Sequence, residues 1–523
     1  MSCVKPCMRS ALVAVILVGC GGPKASAPAP APTETPTPVA KAKPAKHHHT
    51  PDDDRPPGEL VTDKINEMNS AAYGRPPTTF NSGHPSAIKA PPVMHTATGY
   101  TVAFQASAVA TPTVYDHELI VSGGFSSKNL FAYEATTGKP LWGLDLGDDG
   151  PSSSACEDGE CVINTESCTI FAIDAKTGKH LWSYFLGDPL TSSPTIANGR
   201  VFAAYPAMGT SDKKPMPPGA NHVLAAFDLK TGKIDWQLWL DGDVMSAPVA
   251  VGEYVYVSTF AGTVIKLEQA TGKVRYATKV KATSAPVVQF DDDGVESMYY
   301  TRRPETEAKG AEEELIRADH NEPHTKYSTA KKAAGYLDKD VQSKTAAHAK
   351  AKSDDANNGF GGGAPASAAA GVAYDSVGVE SVATMQNFQG SRVLRFGDKN
   401  INTMGDEVIA TDSDTGNKLW SYKLAGNTAT QGGFLGTPPL AAGNAVLLGT
   451  VDGKVLRIDP KSGQTAASYE VGSPIRAQPI ADGGWIFVGT DDGKLVAIDT
   501  KDPSITGWPT WGGNAQRTGV ARP

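Results

Sequence analysis

Apolar and polar residues alternate along most of the chain in short runs, broken by Gly, Asn or Asp. One unit reads Ala477-Gln478-Pro479-Ile480, then Trp485-Ile486-Phe487-Val488-Gly489, the turn Asp491-Asp492-Gly493, and Leu495-Val496-Ala497-Ile498-Asp499. A period of two with turn residues between the runs predicts short antiparallel strands. The third run leads into a phrase that recurs: small-apolar-Asp-x-x-Thr-Gly-Lys-x-x-Trp. It stands at Asp174, Thr177, Gly178 and Trp182, at Asp228, Thr231, Gly232 and Trp236, and at Asp412, Thr415, Gly416 and Trp420. Variants begin at Glu134, Glu268, Asp459 and Asp499. Self-similarity at a period of about forty residues predicts a propeller or a solenoid.

Within each unit the Asp side chain suits a turn that bonds the backbone ahead of it, and Gly takes positive φ at little cost. The Trp four residues later falls on a fourth strand, where its flat ring packs between neighbouring blades. These residues read as structural, because a catalytic base needed once would not recur in every blade. Pro112, Pro194, Pro248, Pro286, Pro438 and Pro479 mark the first strands. Proline belongs at strand starts and free edges, as on an innermost strand beside a central channel.

Thr/Ser-Gly matches occur at Gly138, Gly178, Gly232, Gly272, Gly416 and Gly463, and Asp499 ends a further unit. The gap between Glu268 and Asp412 hides a degenerate one, with strands at Ser284–Val288, Ser297–Tyr300 and Glu314–Asp319. The predicted fold is all-β: an eight-bladed β-propeller of four-stranded antiparallel blades over 98–523, with seven blades as the alternative. Thr101–Gln105 has no preceding strands of its own and is expected to complete the last blade, removing an exposed edge. The tail with Trp508 and Trp511 is expected over that seam. Met208–Gly219 reads as a protruding loop, and 339–370, charged and then Gly/Ala-rich, as a disordered insertion.

The N-terminus changes the setting. Lys5 and Arg9 precede the apolar run Ala11–Val18, which Gly19-Cys20 closes. A basic region, a short apolar run and small residues form a secretory signal over 1–19, and the run is too short to span a bilayer as a helix. Residues 20–57, rich in Pro and Ala, cannot bury enough surface to fold and predict an extended tether, and 58–97 an irregular segment. His47-His48-His49 sits in that tether and reads as solvated linker.

The net charge of −8 argues against nucleic acid as a partner. Cys156 and Cys161 flank the turn Glu157–Glu160, near-opposite on two strands, which makes a local disulfide plausible outside the cytoplasm. Cys168 is then free or alternatively paired. Asp291-Asp292-Asp293-Gly294 offers oxygen ligands, yet between two strands it reads as an acidic turn, so no metal is expected.

The repeat phrase resembles the PQQ-type β-propeller repeat, over about Thr98 to Pro523. That family holds PQQ-dependent dehydrogenases and non-enzymatic, BamB-like lipoproteins of outer-membrane β-barrel assembly. Leu17-Val18-Gly19-Cys20 resembles the bacterial lipobox, which makes Cys20 the lipidated residue. Gly21, rather than an acidic retention residue, implies an outer-membrane anchor. The dehydrogenases are recognised by adjacent cysteines, a calcium-holding acidic set and an Asp base. No adjacent cysteines occur here, and no phosphate loop, HExxH or GxSxG motif. The resemblance therefore implies a non-enzymatic, membrane-anchored scaffold that binds protein partners on the periplasmic side and needs no cofactor. The alternative is a PQQ-dependent periplasmic oxidoreductase with a divergent site.

Overall fold

The computed structural model describes residues 58–521 except 81–83, 107, 166–168, 188–191, 208, 291–293, 303–312, 320–321, 330–390, 429–430 and 432–433. All of these belong to the compact unit His49–Pro523. The signal, tether, Cys20, the three tether histidines, Cys168, the Asp291–Asp293 triplet and the expected insertion lie outside the described residues.

The alternating runs form eight sheets, each built on four antiparallel strands, and so give eight blades rather than seven. The first strands of the blades are Thr113–Tyr115, Ala155–Glu157, Thr195–Ala197, Val249–Val251, Val287–Phe290, Leu394–Phe396, Leu440–Ala442 and Ile480–Asp482. Apart from Thr113–Tyr115, each of these packs against the first strand of a neighbouring blade, which places them around the ring axis. The marked prolines sit one or two residues ahead of them, where no ladder N–H is needed. The fourth, outer strands are Pro140–Asp145, His180–Phe185, Ile234–Leu240, Val274–Lys279, Glu322–Thr329, Lys418–Lys423 and Thr465–Glu470.

The eighth outer strand comes from the other end of the chain. Gly99–Ala103 pairs antiparallel with Lys494–Asp499 and closes the ring, two residues ahead of the expected start. The degenerate unit is the fifth blade, with strands at Val287–Phe290, Glu296–Arg302, Glu313–Asp319 and Glu322–Thr329.

Residues 58–97 form a belt along the rim rather than a blade. Glu59–Leu60 pairs with the outer strand of blade 4, Thr79–Phe80 with that of blade 2, Ser86–Ala87 with that of blade 1, and Val93–Thr96 with that of blade 8. Between the first two of these strands the helix Thr62–Met68 buries Ile65 and Met68. At blade 3 a side chain takes the place of a strand. The Asn69 amide donates to the Trp239 carbonyl at 3.1 Å and accepts from its N–H at 2.7 Å. The loop expected to protrude, Met208–Gly219, supports this stretch: Gly74 donates to the Pro215 carbonyl and Lys214 to that of Ala71.

Candidate functional site

The recurring turn has one geometry. An Oδ1 of Asp174 accepts from the Thr177 N–H at 2.8 Å and its hydroxyl at 2.6 Å, and Asp228 repeats both distances with Thr231. Asp412 does the same with Thr415, at 2.8 Å for each. The Thr231 hydroxyl holds the Asp228 carboxyl below the usual carboxylate range. The glycine N–H closes the turn on the Asp carbonyl, with φ of +69° at Gly178, +67° at Gly232 and +71° at Gly416.

These turns clip one blade to the next. Trp182 of blade 2 donates from Nε1 to the Leu229 carbonyl of blade 3 at 2.7 Å, and its ring lies where a Cβ on Gly232 would stand, 2.7 Å away. Trp142, Trp236 and Trp420 make the same contact with Gly178, Gly272 and Gly463. At the closure Tyr100 substitutes: its hydroxyl donates to the Ala135 carbonyl at 2.7 Å and its ring covers Gly138. The register of the closing strand makes this legible in the sequence, since Tyr100 stands where blades 1, 2, 3 and 6 carry Trp.

Both seams of blade 5 carry polar contacts in place of a Trp–Gly clip. Buried Glu296 accepts from Lys266 and from the Tyr256 hydroxyl at 2.7 Å, and Lys266 lies 4.2 Å from the Tyr254 ring centre. On the other side Arg317 donates to the Ser413 carbonyl and to Asp414, and Arg395 to Gln289.

The axis is occupied by the C-terminal segment. It crosses the closing seam as expected, with Trp508 bridging to Ala481 and Val114 donating to the Pro509 carbonyl, and then continues across the channel. Ile196 donates to the Ala515 carbonyl, Ala250 to that of Gln516 and Arg395 to that of Gly519, and Val520–Ala521 pairs in parallel with Leu394–Phe396. Arg517 is fully buried and donates to the carbonyls of Ser154, Pro194 and Trp511 at 2.9, 3.2 and 2.8 Å. From the opposite side of the ring Arg392 donates to the Arg517 carbonyl, and both guanidiniums face Trp511, 4.6 and 5.4 Å from its ring. Burial pushes both arginines down to about 9, so they remain charged at neutral pH. Neither stood out in the sequence, because their role depends on contacts with blades far away along the chain.

Cys156 and Cys161 are register partners across the first hairpin of blade 2 and are joined, with S–S at 2.01 Å. Beside them a polar cavity of about 620 Å³ opens between blades 2, 3 and 4, lined by Glu157, Asp158, Asn198, Gln269 and Gln516. No group of three or more His, Cys, Asp or Glu among the described residues is placed to hold a metal. No helix among them is long and apolar enough to cross a membrane.

Belt strands and Asn69 cover the outer edges of blades 1, 2, 3, 4 and 8. No described strand pairs with the outer strands of blades 5, 6 and 7.

An eight-bladed ring with clipped Asp-x-x-Thr-Gly turns defines the class, a PQQ-repeat β-propeller. The profile of the family described as "Outer membrane protein assembly factor BamB" matches residues 126–284, 220–347 and 404–511, together more than half of the chain, and the chain belongs to that family. Among solved structures it is similar to BamB from Moraxella catarrhalis, with 15% identity over 78% of this chain and 97% of that one and a TM-score of 0.47. It is also similar to the quinohemoprotein alcohol dehydrogenase from Comamonas testosteroni, with 13% identity over 77% of this chain and 76% of that one and a TM-score of 0.50. Likeness at this level concerns the fold alone. No curated protein sequence matches the chain.

Proposed function

We propose that this protein is a lipid-anchored scaffold of the bacterial cell envelope, without catalytic activity, which binds protein partners in outer-membrane β-barrel assembly. Cys20 carries the anchor and residues 20–57 hold the propeller off the outer membrane on its periplasmic side. One observation carries the reading: Trp511, Arg392 and Arg517 occupy the axis as buried residues bonded to the ring. A propeller whose axis is taken by its own tail offers partners its rim and loops, and loops and strand edges are where extended segments are captured.

Detergent-solubilised envelopes containing the tagged full chain test the reading. β-barrel assembly subunits should co-purify with it, and mature protein should carry lipid on Cys20. Stoichiometric binding of added PQQ and calcium with reduction of an electron-accepting dye would overturn it in favour of an oxidoreductase.

A further inference from the structure

We propose that His84 and His180 form a two-imidazole site for a divalent transition-metal ion such as Zn²⁺ or Cu²⁺, which pins the belt to the rim of blade 2. The belt leaves blade 2 after Thr79–Phe80 and joins blade 1 at Ser86–Ala87, so His84 stands at the crossing. His180 opens the outer strand of blade 2. The two Nδ1 atoms are 3.1 Å apart and the ring centres 5.0 Å apart. Two imidazole nitrogens on one ion, each at about 2.0–2.1 Å, lie roughly 2.9–3.4 Å from each other at octahedral to tetrahedral angles. The observed separation falls inside that bite.

The far side of His180 is also arranged for a ligand. Its Nε2 is 3.0 Å from the Ser183 hydroxyl. In the tautomer whose Nε2–H donates there, the Nδ1 lone pair faces His84, the support that ligating histidines normally receive. Imidazole pairs suit zinc and copper better than calcium or magnesium. No third His, Cys, Asp or Glu among the described residues joins the pair. Such a site loads reversibly.

Titration calorimetry with Zn²⁺ on the full chain tests this. The tether histidines are a second source of ligands, so the measurement is made in a His47→Gln, His48→Gln, His49→Gln background. One ion per chain should bind there, and His84→Gln or His180→Gln should each weaken binding at least tenfold. His84 is exposed, so its variant should melt like its parent without metal. Bound Zn²⁺ should also slow proteolysis between blades 2 and 1 in the parent and not in His84→Gln. Unchanged affinity in His84→Gln, or no binding once the tether histidines are gone, would overturn the proposal.

Discussion

At the scale of single residues, the clip between blades makes a demand on glycine that a turn alone does not. Gly232 combines φ of +67° with the Trp182 ring 2.7 Å from its missing Cβ. Gly232→Ala must strain the backbone and displace a buried ring that also donates to Leu229. Left-handed strain for a non-glycine residue costs about 1–3 kcal/mol before any repacking, so the unfolding free energy measured by urea denaturation should fall by at least that amount. A buried pair makes a second demand, through pH. Burial pushes the Asp243 carboxyl up to about 7 and the His222 imidazole down to about 3, with 4.0 Å between Nε2 and Oδ2. A carboxyl raised in the folded state loses stability as pH climbs from its unfolded value towards about 7, on the order of 4 kcal/mol in all. His222 works in the opposite sense and loses stability as pH falls below its unfolded value. Asp243→Asn keeps an oxygen for the Val244 N–H, which lies 2.7 Å away, and removes only the first effect. Its stability relative to the parent should grow from pH 4 to pH 7 and stay constant above; a difference that does not vary with pH would refute the assignment.

At the scale of elements, the first hairpin of blade 2 has chemistry that the rest of the ring lacks. Cys156 and Cys161 face each other one pair back from the two-residue turn Asp158-Gly159, which Glu157 and Glu160 flank. Closing so short a loop restricts the unfolded chain little, about 2 kcal/mol by loop entropy. A peptide holding both cysteines should therefore appear two hydrogens lighter in non-reducing mass spectrometry. Reduction should lower the melting temperature by a few degrees and leave the sheet signal in place. Most of the elements were legible because each strand alternates by itself and each Asp-x-x-Thr-Gly turn bonds within five residues. Blade 5 followed from its strand order alone, since its seams depend on Lys266, Glu296, Arg317 and Arg395 rather than on Trp and Gly. The belt was not legible. Glu59–Leu60 and Thr79–Phe80 are two-residue strands that exist only because a blade edge is already there. Asn69 imitates a strand with one side chain, and no local pattern announces that.

At the scale of the whole molecule, the two chain ends divide the work of closing the ring. The belt and closing strand seal the last blade and cover a continuous arc of rim from blade 8 through blade 4. The tail ties first strands across the axis, and Arg517 binds carbonyls from blades 2 and 3 while Arg392 reaches it from blade 6. Among the described residues, the outer strands of blades 5, 6 and 7 have no pairing strand. Exposed strand edges invite pairing, and lysines are the usual guard against it. Blade 6 carries Lys418 and Lys423 on its outer strand, whereas Thr465-Ala466-Ala467-Ser468-Tyr469-Glu470 of blade 7 has none. Blade 7 is thus the least guarded of the two, and the belt shows that outer edges of this ring accept short antiparallel strands. Under the scaffold reading, an extended segment of a partner pairs there. Ala466→Lys places a charge on that exposed edge without touching the core. It should leave the melting temperature unchanged and reduce recovery of co-purified assembly subunits several-fold, while Leu419→Lys on the already guarded edge of blade 6 should not. Equal recovery with Ala466→Lys would place the partner on the loops instead of the strand edge.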